Sequence, residues 1–312
     1  MIRRRLTNDL ELMAVVFFWA FNITVVKLSL REMGPLAFNI LRFAGATILL
    51  LALTRWFEGS LRIERRDMPR MVLLGLVGHT GYQLCFILGL ERTTASATAL
   101  IFGSTPIVIG LLSRLAGHER IALSSAAGAL LAFTGVYLIG RAGPAEALGA
   151  AAGAVALGNA LVMAAVVWWA LYTVLSKRLL ERYTPLRVTA VSLSIGTLFL
   201  IPPAIPDLAA QDWSAVSPRT WLGLAYSLVF ALVVSYVIWY RSVKKVGSLR
   251  TAIYSNMVPV VGALSGFYFL GERVTTGLGL GGACILGGIV LTRLRPDAAV
   301  RESDSTGLDE PA

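Results

Sequence analysis

Apolar residues fall into long runs separated by short polar stretches. Runs of about 20 largely apolar residues, the length a helix needs to cross a bilayer, predict ten spans: roughly 10–30, 35–56, 70–90, 95–115, 122–140, 159–180, 185–205, 219–240, 248–270 and 276–294. Residues 141–158, RAGPAEALGAAAGAVALG, are ambiguous, because Ala and Gly supply little transfer free energy and Pro144 and Glu146 interrupt the run. They read as a linker between halves, with a longer sixth helix as the alternative. The opening MIRRRLTNDLELMAVVFFWAF resembles a signal peptide in its basic start. Its apolar run is long, however, and no A-x-A-like site closes it, so it reads as a retained first span. Residues 295–312 read as a short disordered tail.

Composition agrees with an all-α integral membrane protein: 56% of residues are hydrophobic, 15% are charged and the mean hydropathy is +0.71, against about 25% charged in a soluble domain. The net charge of +10 is no sign of nucleic acid, because the basic residues lie between apolar blocks rather than on one solvated face. They do set an orientation. Of the 28 Lys and Arg, 21 fall on the side of the two termini, six on the other side, and Arg42 lies within a span. This predicts cytoplasmic N- and C-termini. Cys85 and Cys284 sit in apolar runs without the spacing of a zinc or disulfide site and read as packing residues.

The chain is also a duplication. AVVFFWAFNITVVKLSLREMGP and AAVVWWALYTVLSKRLLERYTP superpose at a shift of 150, matching Trp19 with Trp169, Lys27 with Lys177 and Pro35 with Pro185. Further along the shift is 153, matching Thr98 with Thr251, Pro106 with Pro259, Glu119 with Glu272, Gly128 with Gly281 and Gly135 with Gly288. The repeats read as residues 1–140 and 159–294. Five spans per repeat, an odd number, force the second copy to enter the bilayer inverted. The charges agree, since the loop after span 2 carries five basic residues and its counterpart after span 7 carries one. Inverted repeats are a recurring transporter architecture, because halves related by an axis in the membrane plane can gate a midplane site alternately.

Several features together carry a family resemblance: a first helix with W-A and a lysine, a second after a proline with Arg42 and Phe43, a fourth with a central proline, and G-H-E-R or L-G-E-R before a glycine-rich fifth. The chain resembles the EamA-type drug/metabolite transporters over residues 10–140 and 159–294. The resemblance implies a ten-helix carrier of small metabolites such as amino acids, usually an exporter, in the bacterial inner membrane. Drugs or other metabolites are alternative cargo. Related small multidrug exporters carry a membrane Glu eight residues before the lysine of their first helix. Trp19 and Trp169 stand at that place here, which disfavours proton-coupled antiport of that kind. The expected partners are a small-molecule substrate and the bilayer, with the chain acting as a monomer and without a cofactor. An intramembrane lipid-modifying enzyme is the competing class, but the loops show no nucleophile–base pair or Asp-rich metal motif.

Ionisable groups inside a membrane mark sites by default, and the spans contain two, Arg42 and His79, with no Asp or Glu in any span interior. His79, Tyr82 and Gln83 share a helical face, with Leu232, Ser235, Tyr236 and Trp239 matching His79, Tyr82, Gln83 and Phe86 in the other half. This stripe reads as a cavity wall, or else as interhelical hydrogen bonding. Arg42 reads either as snorkelling to the headgroups or as a cationic wall for a carboxylate. Asn22 and Asn39 stand one turn from Trp19 and Arg42 and suit hydrogen bonds to a polar substrate. Trp19, Trp168, Trp169, Tyr172, Tyr254 and Asn256 complete the expected substrate-binding set. Pro106 and Pro259, expected at mid-helix, are candidate gating points or static kinks. No metal site is expected, as His79 has no second His or buried carboxylate beside it.

Overall fold

The computed structural model describes residues 2–115, 123–141, 150–246, 251, 253–273 and 275–293, and every regular element among them is helical. In chain order these are α1 (Ile2–Ser29), α2 (Pro35–Glu58), α3 (Met68–Arg92), α4 (Ala95–Phe102 continued by Thr105–Leu115), α5 (Leu123–Arg141) and α6 (Ala150–Leu180). They are followed by α7 (Pro185–Ala210), α8 (Pro218–Val246), α9 (a 3-10 turn, Ile253–Met257, continued by Val258–Leu270) and α10 (Thr276–Arg293). Seven stretches are long and apolar enough to cross a membrane, those within α1 to α4 and α6 to α8. Three shorter apolar helices, Leu130–Ile139, Val258–Leu270 and Thr276–Gly288, lie within the ranges expected for spans 5, 9 and 10. The expected tail, together with His118, Glu119 and Arg120, falls outside the described residues.

Two local expectations change. The Ala/Gly stretch read as linker is helical from Ala150, nine residues before the expected start of span 6, because alanine costs least of all residues to place in a helix. The two prolines do not kink continuous helices. Pro106 sits in the first turn of Thr105–Leu115 and Pro259 in the first turn of Val258–Leu270, each just after an interruption. A first turn tolerates a missing N–H. At the α4 break two side chains turn back onto carbonyls of the preceding turn: Ser104 Oγ donates to Ile101 O at 2.7 Å and Thr105 Oγ1 to Phe102 O at 2.6 Å.

In two places α-helix gives way to π-helix, at Leu76–Gly81 in α3 and Ser227–Val234 in α8. These are matching places in the two repeats. In α8 the wider turn lets Ser235 Oγ reach Phe230 O, five residues back, at 2.7 Å. In α3 it brings the backbone against two neighbours. A Cβ on Gly75 would stand 2.8 Å from Ser192 O, and one on Gly78 would stand 2.2 Å from the Tyr172 ring.

Helix pairing is reciprocal. α2 packs along α7, α4 along α9, α5 along α10, α3 against α6 and α1 against α8. Residues 150 positions apart touch: Thr47 Oγ1 and Thr197 Oγ1 are 2.9 Å apart, and the Trp19 and Trp169 rings meet edge-on at 5.3 Å. In the α5–α10 seam a Cβ on Gly135 would lie 2.4 Å from Gly281 O, and one on Gly288 would lie 2.4 Å from Gly128 O. α2 and α7 run antiparallel and tie each other's starts. Asp207 accepts from the Leu36 N–H at 2.8 Å, while Glu58 accepts from Thr184 Oγ1 at 2.5 Å and pairs with Arg187 at 3.0 Å. Lys27, the lysine of the repeat motif, donates to the last carbonyls of α3, Leu90 O at 2.7 Å and Glu91 O at 2.9 Å, where a helix favours a cation.

At the end carrying the α1–α2 loop, Glu32 accepts from the Ser217 N–H at 2.9 Å and from Thr220 Oγ1 at 2.7 Å. The Ser217 N–H, then the hydroxyls, hold its carboxyl below the ordinary 4.5. A depressed carboxyl stabilises the fold above its unfolded value and loses that contribution as pH falls through the folded value. The melting temperature in detergent should therefore decline below about pH 4.5, and Glu32→Gln should flatten that decline. Identical profiles would refute the tie.

Candidate functional site

The interior of the bundle is built from aromatic residues. Trp19 on α1 lies 4.9 Å from Trp239 and 6.2 Å from Tyr236 on α8, and Trp169 on α6 lies 5.3 Å from Tyr82 on α3. Trp19 Nε1 donates to Ala231 O at 2.9 Å, a carbonyl inside the π segment of α8. These contacts fix ring faces that would otherwise be free to rotate. They wall a small cavity of about 60 Å³, lined by Trp19, Asn22, Arg42, Tyr82, Gln83, Phe86, Trp169 and Tyr236, with Phe102, Thr105, Ser255 and Val258 from α4 and α9.

Arg42 is the one charged side chain on that wall. It does not snorkel, being only 1% exposed. Its Nε and Nη2 donate to Asn39 Oδ1 at 3.0 and 2.8 Å, Nη1 to Ser227 Oγ at 2.9 Å and Nη2 to Gln83 Oε1 at 2.5 Å. The rings of Phe38, Phe43 and Phe86 lie 5.6 to 5.7 Å from its Cζ. These partners are neutral, and among the described residues no carboxylate lies within 4.0 Å of the guanidinium. A guanidinium has five N–H donors, of which these bonds use four, so one donor and the full positive charge are available to the cavity. Asn22, 6% exposed on the same wall, has an Oδ1 without a hydrogen-bond partner. Arg42 and Asn22 thus place an unneutralised cation and an unused acceptor on one aromatic-walled space. That combination can hold a small molecule with an anionic and a donor group.

The expected site residues divide by position. Trp19, Asn22, Arg42, Tyr82, Gln83, Trp169 and Tyr236 line the cavity, and Asn39 acts through Arg42. Trp239, fully buried, backs the Trp19 and Trp169 rings. Trp168 is half-buried beside Gly81. Tyr254 points away to donate to Asp9 at 2.6 Å, and the side chain of Asn256 lies outside the described residues. His79 is wholly buried one layer behind the wall, not on it. Its Nε2 meets Tyr172 Oη at 3.0 Å and Ser192 Oγ at 3.1 Å, and Tyr236 stacks on its ring at 5.6 Å. Sequence reasoning missed Ser227 and Ser192. Ser227 stands in a largely apolar run with no periodic signal. Ser192 had one, as the repeat counterpart of Arg42.

Known proteins agree with this picture at the level of family and fold. The EamA-like transporter family model matches residues 7–141 and again residues 156–294. An uncharacterized transporter of Archaeoglobus fulgidus is 29% identical over 91% of this chain and 96% of its own length. The uncharacterized transporter YetK of Bacillus subtilis is 26% identical over 98% and 93%. A protein of Streptantibioticus cattleyicolor named a probable terminal-alkyne amino-acid exporter is 27% identical over 95% and 96%. A crystal structure superposes with a TM-score of 0.65 at 19% identity, covering 93% of this chain and 98% of that one. With both halves matched by one family model, the chain is a member of the EamA-like transporter family, a multi-pass membrane transporter.

Proposed function

We propose that this transporter exports small polar metabolites, foremost amino acids, by alternating access around the Arg42 cavity. The carrying observation is the buried guanidinium of Arg42, which faces the cavity with no carboxylate partner among the described residues. Burying a charge is costly unless it is paired, so a substrate carboxylate that completes the pair gains charge-assisted hydrogen bonds. The Asn22 acceptor and the rings of Trp19, Trp169 and Tyr82 suit an ammonium group by hydrogen bonding and cation–π attraction. The relative named as a probable amino-acid exporter supports the same cargo.

The architecture we infer is ten spans in two inverted five-helix repeats, residues 1–140 and 159–294, with 141–158 between them and 295–312 as a cytoplasmic tail. The touching of residues 150 apart and the mirrored glycine contacts of the α5–α10 seam support it, because a two-fold relation makes each contact recur as its own mirror image. The bias of 21 basic residues to six supports cytoplasmic termini in a bacterial inner membrane. The chain works as a monomer in this reading, since the cavity is complete within one copy.

The test is a panel of amino acids and their decarboxylated or deaminated analogues against the purified protein. Ligand that binds only the folded state stabilises it by about 2.7 kcal/mol at a hundredfold excess over Kd. Amino acids should raise the melting temperature and enter proteoliposomes saturably, while amines lacking the carboxylate should do neither. Equal response to the amines would remove the role of Arg42, and no response to any member would remove amino acids as cargo.

A further inference from the structure

The polar cluster on the cavity wall and the one behind it stand at matching places in the two repeats. At the shifts of 150 and 153, Asn22 corresponds to Tyr172, Arg42 to Ser192 and Gln83 to Tyr236. Tertiary structure gathers each set separately. Arg42 bonds Gln83 at 2.5 Å, and Tyr172, Ser192 and His79 close a triangle of 3.0, 3.1 and 3.2 Å against the Tyr236 ring. Arg42 lies seven residues past Pro35 and Ser192 seven past Pro185. On antiparallel helices this places them about 10 Å in from opposite ends of the bundle.

The two clusters differ in access. The Arg42 cluster opens on the cavity, whereas the other is shut. A Cβ on Gly78 would stand 2.2 Å from the Tyr172 ring, and one on Gly196 would stand 2.3 Å from His79 Cβ. Even so, the Nδ1 of the wholly buried His79 has no hydrogen-bond partner. Most buried polar atoms are satisfied, so this nitrogen, beside the Tyr172–Ser192 pair, is among the few in the bundle that keep an unused bond.

Resting on the inverted-repeat carrier reading above, we propose that the Tyr172–His79–Ser192 cluster is a second station for the carboxylate of the substrate. It opens toward the end bearing the α2–α3 loop when the Arg42 cavity closes. With the imidazole proton on Nε2, that N–H and the Tyr172 and Ser192 hydroxyls beside it are its donors. The stations are unequal, because Ser192 stands where its mirror has Arg42 and Leu232 stands where its mirror has His79. At Arg42 the carboxylate meets a full positive charge as well as N–H donors, whereas at the second station it meets neutral donors only, so the substrate half-saturates at lower concentration from the α1–α2-loop side.

Proteoliposomes of defined orientation test this, with an equimolar mixture of labelled neutral L-amino acids as probe and half-saturation read from each side. His79→Leu and Ser192→Ala should each raise the half-saturation ratio of the α2–α3-loop side to the α1–α2-loop side about fivefold, the loss of one hydrogen bond, and Arg42→Gln should lower it. If Arg42→Gln lowers the ratio but the other two leave it unchanged, the second station is overturned and the carrier reading stands. No uptake by the unaltered protein, or no effect of Arg42→Gln, overturns the carrier reading and the second station with it. A labelling measurement does not depend on His79→Leu folding. Ser192→Cys, in a chain with Cys85→Ala and Cys284→Ala, should react with a membrane-impermeant maleimide from the α2–α3-loop side alone. Reaction from the other side, or from neither during turnover, overturns the proposal.

Discussion

Arg42→Gln is expected to weaken binding of carboxylate-bearing substrates by ten- to a hundredfold without unfolding the protein. A hydrogen bond to a charged group contributes about 1.5–3 kcal/mol, and each 1.4 kcal/mol is a factor of ten. The variant loses the charge that a substrate carboxylate would meet. Stability responds differently. The wild-type guanidinium is buried among neutral acceptors, and the effective cost of burying an ion is several kcal/mol. Removing it relieves that cost and leaves Asn39, Gln83 and Ser227 to re-pair, at about 1–3 kcal/mol for each group left unsatisfied. These effects oppose each other, so the ligand-free melting temperature should move little, while the shift induced by amino acids should nearly vanish. Arg42→Lys, which keeps the charge but not the planar fork, should restore part of the shift. Loss of the fold in Arg42→Gln, with substrate affinity intact in the surviving fraction, would make Arg42 a structural residue.

The largest effects on stability are expected at the α5–α10 seam. Gly135→Ala and Gly288→Ala would each set a methyl group 2.4 Å from a carbonyl oxygen of the facing helix, a distance that forces the helices apart. Overpacking of this kind costs about 1–3 kcal/mol. Because the contacts mirror one another, the two variants should lose similar amounts. They lie two turns apart along the seam, about 10 Å, so the double variant should lose close to the sum. Neither residue lines the cavity, so the Kd for amino acids should stay within twofold in both. Unchanged thermal midpoints in both single variants would show that the seam relaxes freely and that its close approach is incidental.

Legibility in the sequence followed the range of the interactions. Seven of the ten expected spans coincide with helices long and apolar enough to cross a membrane, because a bilayer demands length and hydropathy from a crossing segment by itself. Pro35 and Pro185 mark helix starts as local chemistry predicts, since proline fits a first turn. Tyr82, Gln83 and Arg42 could be nominated because polar groups stand out in an apolar run. The π segments could not, since the one in α3 lies where α6 and α7 come against Gly75 and Gly78, from residues about a hundred positions away. The prolines misled as mid-helix kinks because the interruptions before them, at Gly103–Ser104 and in the 3-10 turn, are not visible in hydropathy.

By itself the sequence determined a membrane-spanning duplication and its family, because those depend on composition, spacing and self-similarity along one chain. Only the tertiary structure decided which polar groups meet. It turned Arg42 inward onto Asn39, Gln83 and Ser227, drew His79 behind the wall to Tyr172 and Ser192, and sent Tyr254 to Asp9. The physical reason is that a buried polar side chain takes its conformation from the partners that satisfy it. In this chain four of those six partners come from the other repeat, 93 to 245 residues away.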